Sequence, residues 1–420
     1  MIRITIVTLL YILVTGCSSF GKGVTEAFLE KQESDDQRAC SVWGSAFQGI
    51  SPLLDRKEGI VKVLMTHGVG DHDPGYATML MEKLGQALDL TVKNKRFKDI
   101  KLYDPNQPEN VLGNLRINRL LSKDRSHQIL FYELTWSNIS APLKKILAYD
   151  NSGEYSFRRA EVNNLLKEFS NNTGPDPMIY LGNQREKILS AFTQSACWMM
   201  AFDWDDMPGR NDKIFDCGFD DERLLEHISI DDYIFISHSL GSRITIDGLN
   251  LIAHLSEHSD TAEDALAQSS IAGLLQDKDI PIYMLSNQLP MLQLGRDMPE
   301  VVGKRYAYCD TNGSLYDERA FRRIKIYAFS DPNDILSYVL PSGFVDTYLD
   351  SRMCVDVTNI MINIAHVFDA FGLGTVANPL EAHIGYDSDE RVIDLMAKGI
   401  GTENSTNLVN ERCKWIETVD

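Results

Sequence analysis

Short runs of almost uninterrupted apolar residues, each followed by a stretch of helical period, constrain this chain more than any other feature. The runs are "GIVKVLMT" (59–66), "HQILFYELTW" (127–136), "DYIFIS" (232–237), "IPIYMLS" (280–286), "RIKIYAFS" (323–330) and "CVDVTNIMINI" (354–364). A strand apolar on both sides must be covered on both faces, which is the signature of a parallel sheet. Between the runs the period changes: Met79, Leu80, Leu84, Ala87 and Leu88 recur at three- and four-residue steps through 76–90. The expectation is an α/β fold with a mostly parallel central sheet and helices on both faces. At 420 residues and 44% hydrophobic content, a single domain with insertions can bury a large core. There is no internal repeat.

One of these strands runs into a serine. In "DYIFISHSLGSRITIDGL" (232–249), Ser239 lies between Ser237 and Gly241, and Leu240, Ile244, Leu251 and Leu255 continue a helical stripe. Small residues two positions either side of a serine suit a tight strand-to-helix turn that lifts the hydroxyl out of the chain, as in G-x-S-x-G, with Ser237 in place of the first glycine. The plain alternative is a serine capping a helix. Upstream, "HGVG" (67–70) closes a strand on a glycine loop. Such a loop can supply one of the two backbone N–H groups that an acyl-transfer oxyanion needs, and the assignment is Val69 with Leu240, the residue after the serine. Downstream, "IKIYAFSDPNDILSY" ends a strand on Asp331 and Asp334, and "NPLEAHIGYDSDERVIDLMAKG" places His383 in a loop before a helix whose Val392, Ile393, Leu395 and Met396 face the sheet. Asp334 is the preferred acid, with Asp331 a turn cap before Pro332. His366, in an apolar run, is the rival base.

These motifs, in the chain order Ser, Asp, His, resemble the α/β-hydrolase superfamily on its lipase and esterase side, over about residues 58–402. Asp334 followed by Ile335 and Leu336 looks like the acid turn of cutinases and related esterases. The run from Ala382 and His383 to Tyr386, with its acidic helix, resembles the histidine loop of lipases. The resemblance implies that Ser239 attacks an ester carbonyl, His383 moves the proton, Asp334 orients His383, and no cofactor takes part. The same triad can cleave an amide, and a non-catalytic protein that binds lipid or a partner is the third reading. Residues 93–127 are polar. Residues 137–230 carry Leu165, Phe169, Ile188, Phe192, Ala196 and Met199 at helical spacing, either as a cap or lid over the serine or as helices buried against the core.

The chain's start sets its expected address. "MIRITIVTLLYILVTGCSS" has Arg3, an apolar run too short to span a bilayer, and a small residue before Cys17. "VTGC" resembles the bacterial lipobox, which implies removal of residues 1–16 and a lipid on Cys17. The expected location is the cell envelope, facing the periplasm from the outer membrane where the host has two membranes. Residues 17–57 read as a tether or arm and 403–420 as a C-terminal tail. Of seven cysteines, the six beyond Cys17 would form disulfides in an oxidising compartment, with pairing left open. With 41 basic against 60 acidic residues the net charge is −19, which repels nucleic acid. The expected partners are an ester substrate and a membrane, and no protein partner is indicated. "GDHDPG" (70–75) and "AFDWDDMPGRND" (201–212) lack the ligand spacing of a calcium loop and read as turns.

Overall fold

The computed structural model describes residues 38–417 except 57, 93–96, 152–159, 209–216, 220–222, 255–261 and 370–374. The expected signal peptide, Cys17 and most of the expected tether lie outside the described residues, as does Leu255. The strands are β1 (Cys40–Trp43), β2 (Val61–Thr66), β3 (Thr91–Val92), β4 (Lys98–Asp104), β5 (Gln107–Leu121), β6 (Gln128–Thr135), β7 (Asp232–His238), β8 (Asp279–Leu285), β9 (Arg323–Ser330), β10 (Val355–Ile362), β11 (Val367–Asp369), β12 (Thr375–Ala377) and β13 (Cys413–Ile416). All but the β11–β12 ribbon form one mixed, 11-stranded sheet ordered β13-β1-β10-β9-β8-β7-β2-β6-β5-β3, with β4 on β5.

The six apolar runs are its central strands, β10-β9-β8-β7-β2-β6, and all five of their pairings are parallel. The expectation of a mostly parallel sheet holds only there. β5 pairs antiparallel with β6, β3 and β4, and β1 pairs antiparallel with β10. The polar stretch 93–127 supplies β4 and β5: Leu115 and Ile117 point inward while Asn114, Arg116 and Asn118 stay partly exposed, the alternation of a strand with one wet face. The arm and tail also need correction. β1 and β13 pair in parallel as the sheet's edge, and the Cys40–Cys413 disulfide joins them. Cys197–Cys217 and Cys309–Cys354 complete the pairing.

The principal helices are α1 (Thr78–Ala87), α2 (Ala141–Ala148), α3 (Glu161–Thr173), α4 (Pro175–Leu181), α5 (Arg185–Ala201), α6 (Arg223–Ile230), α7 (Gly241–Ala253), α8 (Ala262–Leu275), α9 (Pro379–Ile384) and α10 (Glu390–Lys398). They cover both faces, and the alternation of each strand decides which core a residue joins. Leu64, Tyr233 and Phe235 enter the core under α5, α6 and α7, whereas Val63, Met65, Ile234 and Ile236 enter the core under α1 and α10. α10 does bury Val392, Ile393, Leu395 and Met396. The insertion 137–230 divides. α5 is buried on nearly every side, and Gly248 of α7 has no Cβ because the Phe192 ring occupies that space. α5 is thus a core helix rather than a lid. α2, α3 and α4 instead leave Leu143, Ile146, Leu166, Phe169 and Met178 exposed.

The strand order places a site. The chain leaves β2 toward β6 on one side and returns to β7 on the other, from which β8, β9 and β10 build outward. The direction of winding reverses between β2 and β7, and the crevice at the C-terminal ends of such a strand pair is where α/β sheets bind ligands. The HGVG loop leaves β2 at that crevice and Ser239 leaves β7 there.

Candidate active site

Ser239 is fully buried and holds φ at 54°, a left-handed conformation costly for a residue with a side chain. The surroundings impose it. Ser239 N–H donates to Leu285 O at the end of β8 (2.9 Å), while its own carbonyl accepts from Ser242 N–H in the first turn of α7 (3.0 Å). A Cβ on Gly241 would collide with the Thr66 carbonyl at the end of β2, so only glycine lets α7 start there. Gly68 is under the same restriction from above: its missing Cβ would lie 2.6 Å from Ser239 Cβ. The backbone of the HGVG loop therefore rests directly on the serine.

That loop is held from several elements. His67 is buried and stacked on Trp136; its Nδ1–H donates to Gly68 O (2.8 Å) and its Nε2 accepts from Trp136 N–H (3.1 Å). Burial, and next to it His72, keep the His67 pKa well below that of a free imidazole, consistent with the neutral tautomer these bonds require. His72 Nε2–H donates to Val69 O (3.1 Å) and Gly70 N–H donates to Asp176 of α4 (2.6 Å). Lys144 of α2 pairs with both Asp71 (2.6 Å) and Asp176 (3.3 Å). Among the described residues neither Val69 N–H nor Leu240 N–H has an acceptor. Two backbone donors beside one serine are thus left unspent by the fold.

Asp334 and His383 meet behind it. His383 Nδ1 lies 3.0 Å from each Asp334 oxygen. Burial raises the Asp334 pKa, but hydrogen bonds from His383 and Ser286 outweigh it and the carboxyl is held below its usual range. Asp331 is occupied elsewhere: one oxygen accepts Ile364 and Ala365 N–H (2.6 and 2.9 Å) and the other accepts Asn333 N–H (2.7 Å). It organises the turn. His383 lies near the end of the short helix α9 rather than in a loop, with Asn378 capping that helix. His366 lies between β10 and β11 and makes no hydrogen bond or ion pair with Asp334 or His383 among the described residues. Ser239 Oγ and His383 Nε2 are buried, and neither has a hydrogen-bond partner.

Two residues of this cluster carry no motif. Ser286, the first residue past β8, also has φ above zero (52°); its hydroxyl donates to Asp334 Oδ2 (2.7 Å) and lies 2.9 Å from His383 Nδ1. His238 donates from Nε2 to the His383 carbonyl (2.8 Å). Their only sequence signal is a polar residue at the end of an apolar strand.

A group suited to a metal lies at the other end of β2, where Asp203, His227 and Asp231 converge. An ammonium already fills it: buried Lys62 Nζ lies 2.6 Å from Asp231, 3.2 Å from Asp203 and 3.0 Å from Phe202 O. Asp71 of the "GDHDPG" turn spends its charge on Lys144. No protein-family model, no curated protein and no solved structure matches this chain.

Proposed function

We propose that the protein is a serine hydrolase of the α/β-hydrolase type that cleaves carboxylic esters through Ser239, His383 and Asp334. What supports this reading is a strained, buried serine next to His238, which bonds the backbone of His383, an imidazole whose Nδ1 sits on a carboxylate; Ser239 Oγ and His383 Nε2 are not hydrogen-bonded to each other in the resting structure. In catalysis His383 Nε2 takes the proton of Ser239 as Oγ bonds to the acyl carbon. The carbonyl oxygen becomes an oxyanion and accepts from Val69 and Leu240 N–H. His383 then protonates the departing alcohol, and water, activated by the same nitrogen, releases the acid and restores the serine. Asp334 holds the imidazole tautomer with its proton on Nδ1.

Lipophilic acyl esters are the favoured substrates. Ile335, next to Asp334, is 73% exposed, and Leu380 and Ile384 of α9, beside His383, are 45% and 52% exposed. An apolar margin of this kind suits an acyl chain or a lipid surface. The start of the described chain agrees with a membrane-held enzyme. β1 runs antiparallel to β10, so Arg38 lies by Ile364, past the C-terminal end of β10, where it donates to the Ile364 carbonyl (2.6 Å). A lipid on Cys17 would therefore pull on the same edge of the sheet that carries Ser239.

The test is active-site labelling with a fluorophosphonate on the detergent-solubilised chain. Wild-type protein is expected to label and Ser239→Ala to remain blank, and an ester series of rising chain length, run against matched amides, then orders the substrates. A folded wild type that never labels would return the protein to the binding class.

A further inference from the structure

A cavity of about 390 Å³ opens beside α7, walled in part by Arg185, Arg243, Asp247 and Arg296. The three arginines share one carboxylate. Arg243 grips Asp247 Oδ1 through Nε (2.9 Å) and a terminal nitrogen, while Oδ2 accepts from Arg296 (2.8 Å), Arg185 (3.1 Å) and the Tyr180 hydroxyl (2.6 Å). Burial raises the Asp247 pKa, but Arg243 and Arg296 bring it down to about 2, so it is ionised and its lone pairs are fully engaged. The three guanidinium charges share one carboxylate as ion-pair partner. Neither of the wall's other two acids is paired with them among the described residues. Asp350 is engaged by Arg352 (2.8 Å), and Asp297 is exposed and without an ion pair among the described residues.

Donors are in excess. A guanidinium carries five N–H groups and no acceptor. Arg185 and Arg296 each give one side-chain hydrogen bond among the described residues, both to Asp247, and Arg185 Nε is buried with no acceptor at all. Burial, and after it the like charge of Arg243, lower the Arg296 pKa, a strain that a bound anion would relieve. In a chain of net charge −19, three arginines gathered in one concave wall are a local concentration of positive charge.

We propose that this cavity binds an oxyanion, a phosphate or carboxylate group whose oxygens bridge Arg185 and Arg296. Planar guanidinium donors suit such oxygens in pairs. The cavity is larger than the anion alone requires, and Leu181 and Met298 of its wall are 42% and 48% exposed, so an anion with an apolar body fits better than a bare one. The site contains none of Ser239, Asp334 or His383, and it stands or falls apart from the hydrolase reading.

The experiment is titration calorimetry on the full chain in non-ionic detergent with three probes: inorganic phosphate, decanoate and dihexanoyl phosphatidic acid. Saturable binding of at least one probe is expected, unchanged in Ser239→Ala and weakened about tenfold in Arg296→Gln by loss of a charge-assisted contact. Arg185→Gln, at a half-exposed position where folding is safe, should weaken it in the same direction. Equal affinity for inorganic phosphate and the phospholipid assigns the site to free phosphate, and a clear preference for the lipid or decanoate assigns it to an amphiphile. Absence of saturable binding for all three, or binding that both arginine variants leave intact, overturns the proposal.

Discussion

At the scale of single residues the site is decided by second partners. Ser286 touches both halves of the acid–base pair, so its loss should leave substrate binding alone and loosen the imidazole. Ser286→Ala is expected to lower kcat about tenfold or more with KM unchanged, the size of a hydrogen bond to a charged group, and Ser286→Cys, which keeps a weak donor without a β-branch at this positive φ, should recover part of it. Steady-state kinetics on the two variants check this; an unchanged kcat in Ser286→Ala would reduce the contact to packing. His238 makes a different claim. Burial, and then neighbouring His383, push its pKa to about 3, against about 6.5 for an unfolded histidine. Between those values the unfolded chain binds the extra proton, so stability rises with pH from about 3 to about 6.5. His67 and His72 are shifted the same way and share the slope. Asp334, with its depressed pKa, adds stability that is present above about 4 and lost as pH falls through its folded value. Urea unfolding across this range should show the slope, and His238→Gln, which keeps a donor for the His383 carbonyl, should make it shallower without removing it. The turn motifs around Ser239 and His383 are legible in the sequence because turn chemistry is local. The choice between Asp331 and Asp334 was not local: Asp331 is claimed by Ile364 and Ala365, more than thirty residues away.

At the scale of elements, two strand ends and two glycines build the crevice. The HGVG loop can rest on Ser239 only because β2 and β7 are neighbours in register, with Thr66 opposite Ser237, and because neither Gly68 nor Gly241 has a Cβ. Gly68→Ala would place a methyl carbon 2.6 Å from Ser239 Cβ, well inside van der Waals contact. The expected result is a folded protein with a displaced oxyanion loop, a fall in kcat of about 10² as when one oxyanion donor is lost, and slower fluorophosphonate labelling. Wild-type labelling rates in Gly68→Ala would mean that the loop moves aside freely. The elements themselves were legible to very different degrees. All six central strands and α1 could be read from the sequence because strands buried on both sides have no other composition. α5 could not be assigned: a helix apolar all round reads alike as lid or core, and Leu251, counted in the apolar stripe of α7, turns out 39% exposed. The β4–β5 pairing was hidden because one of its faces is wet, and an alternating polar strand resembles a loop.

At the scale of the whole molecule, the first and last strands of the described residues are one structure. β1 and β13 are too short to be read as strands, at four residues each, and neither would persist alone. Together they extend the sheet past β10, with Cys40 opposite Cys413 in the register and bonded to it. The two cysteines are 373 residues apart. Closing so long a loop restricts the unfolded chain more than a short one does, by an amount worth about 6 kcal/mol on the entropic account. The Cys40→Ser, Cys413→Ser double variant should therefore unfold at clearly lower denaturant concentration than wild type. Chemistry at Ser239 should survive, because β10, β9 and β8 separate β1 from β7. At about 4.8 Å per strand that is about 19 Å of hydrogen-bonded sheet, through which the loss of an edge strand has no direct contact with the crevice. Parallel measurement of the unfolding midpoint and the labelling rate tests both halves. A midpoint at the wild-type value would show the edge to be held by β10 alone, and a lost labelling rate with a native spectrum would show that the edge and the crevice are coupled through the β10 end, where Arg38, Ile364 and Asp331 are joined by consecutive hydrogen bonds.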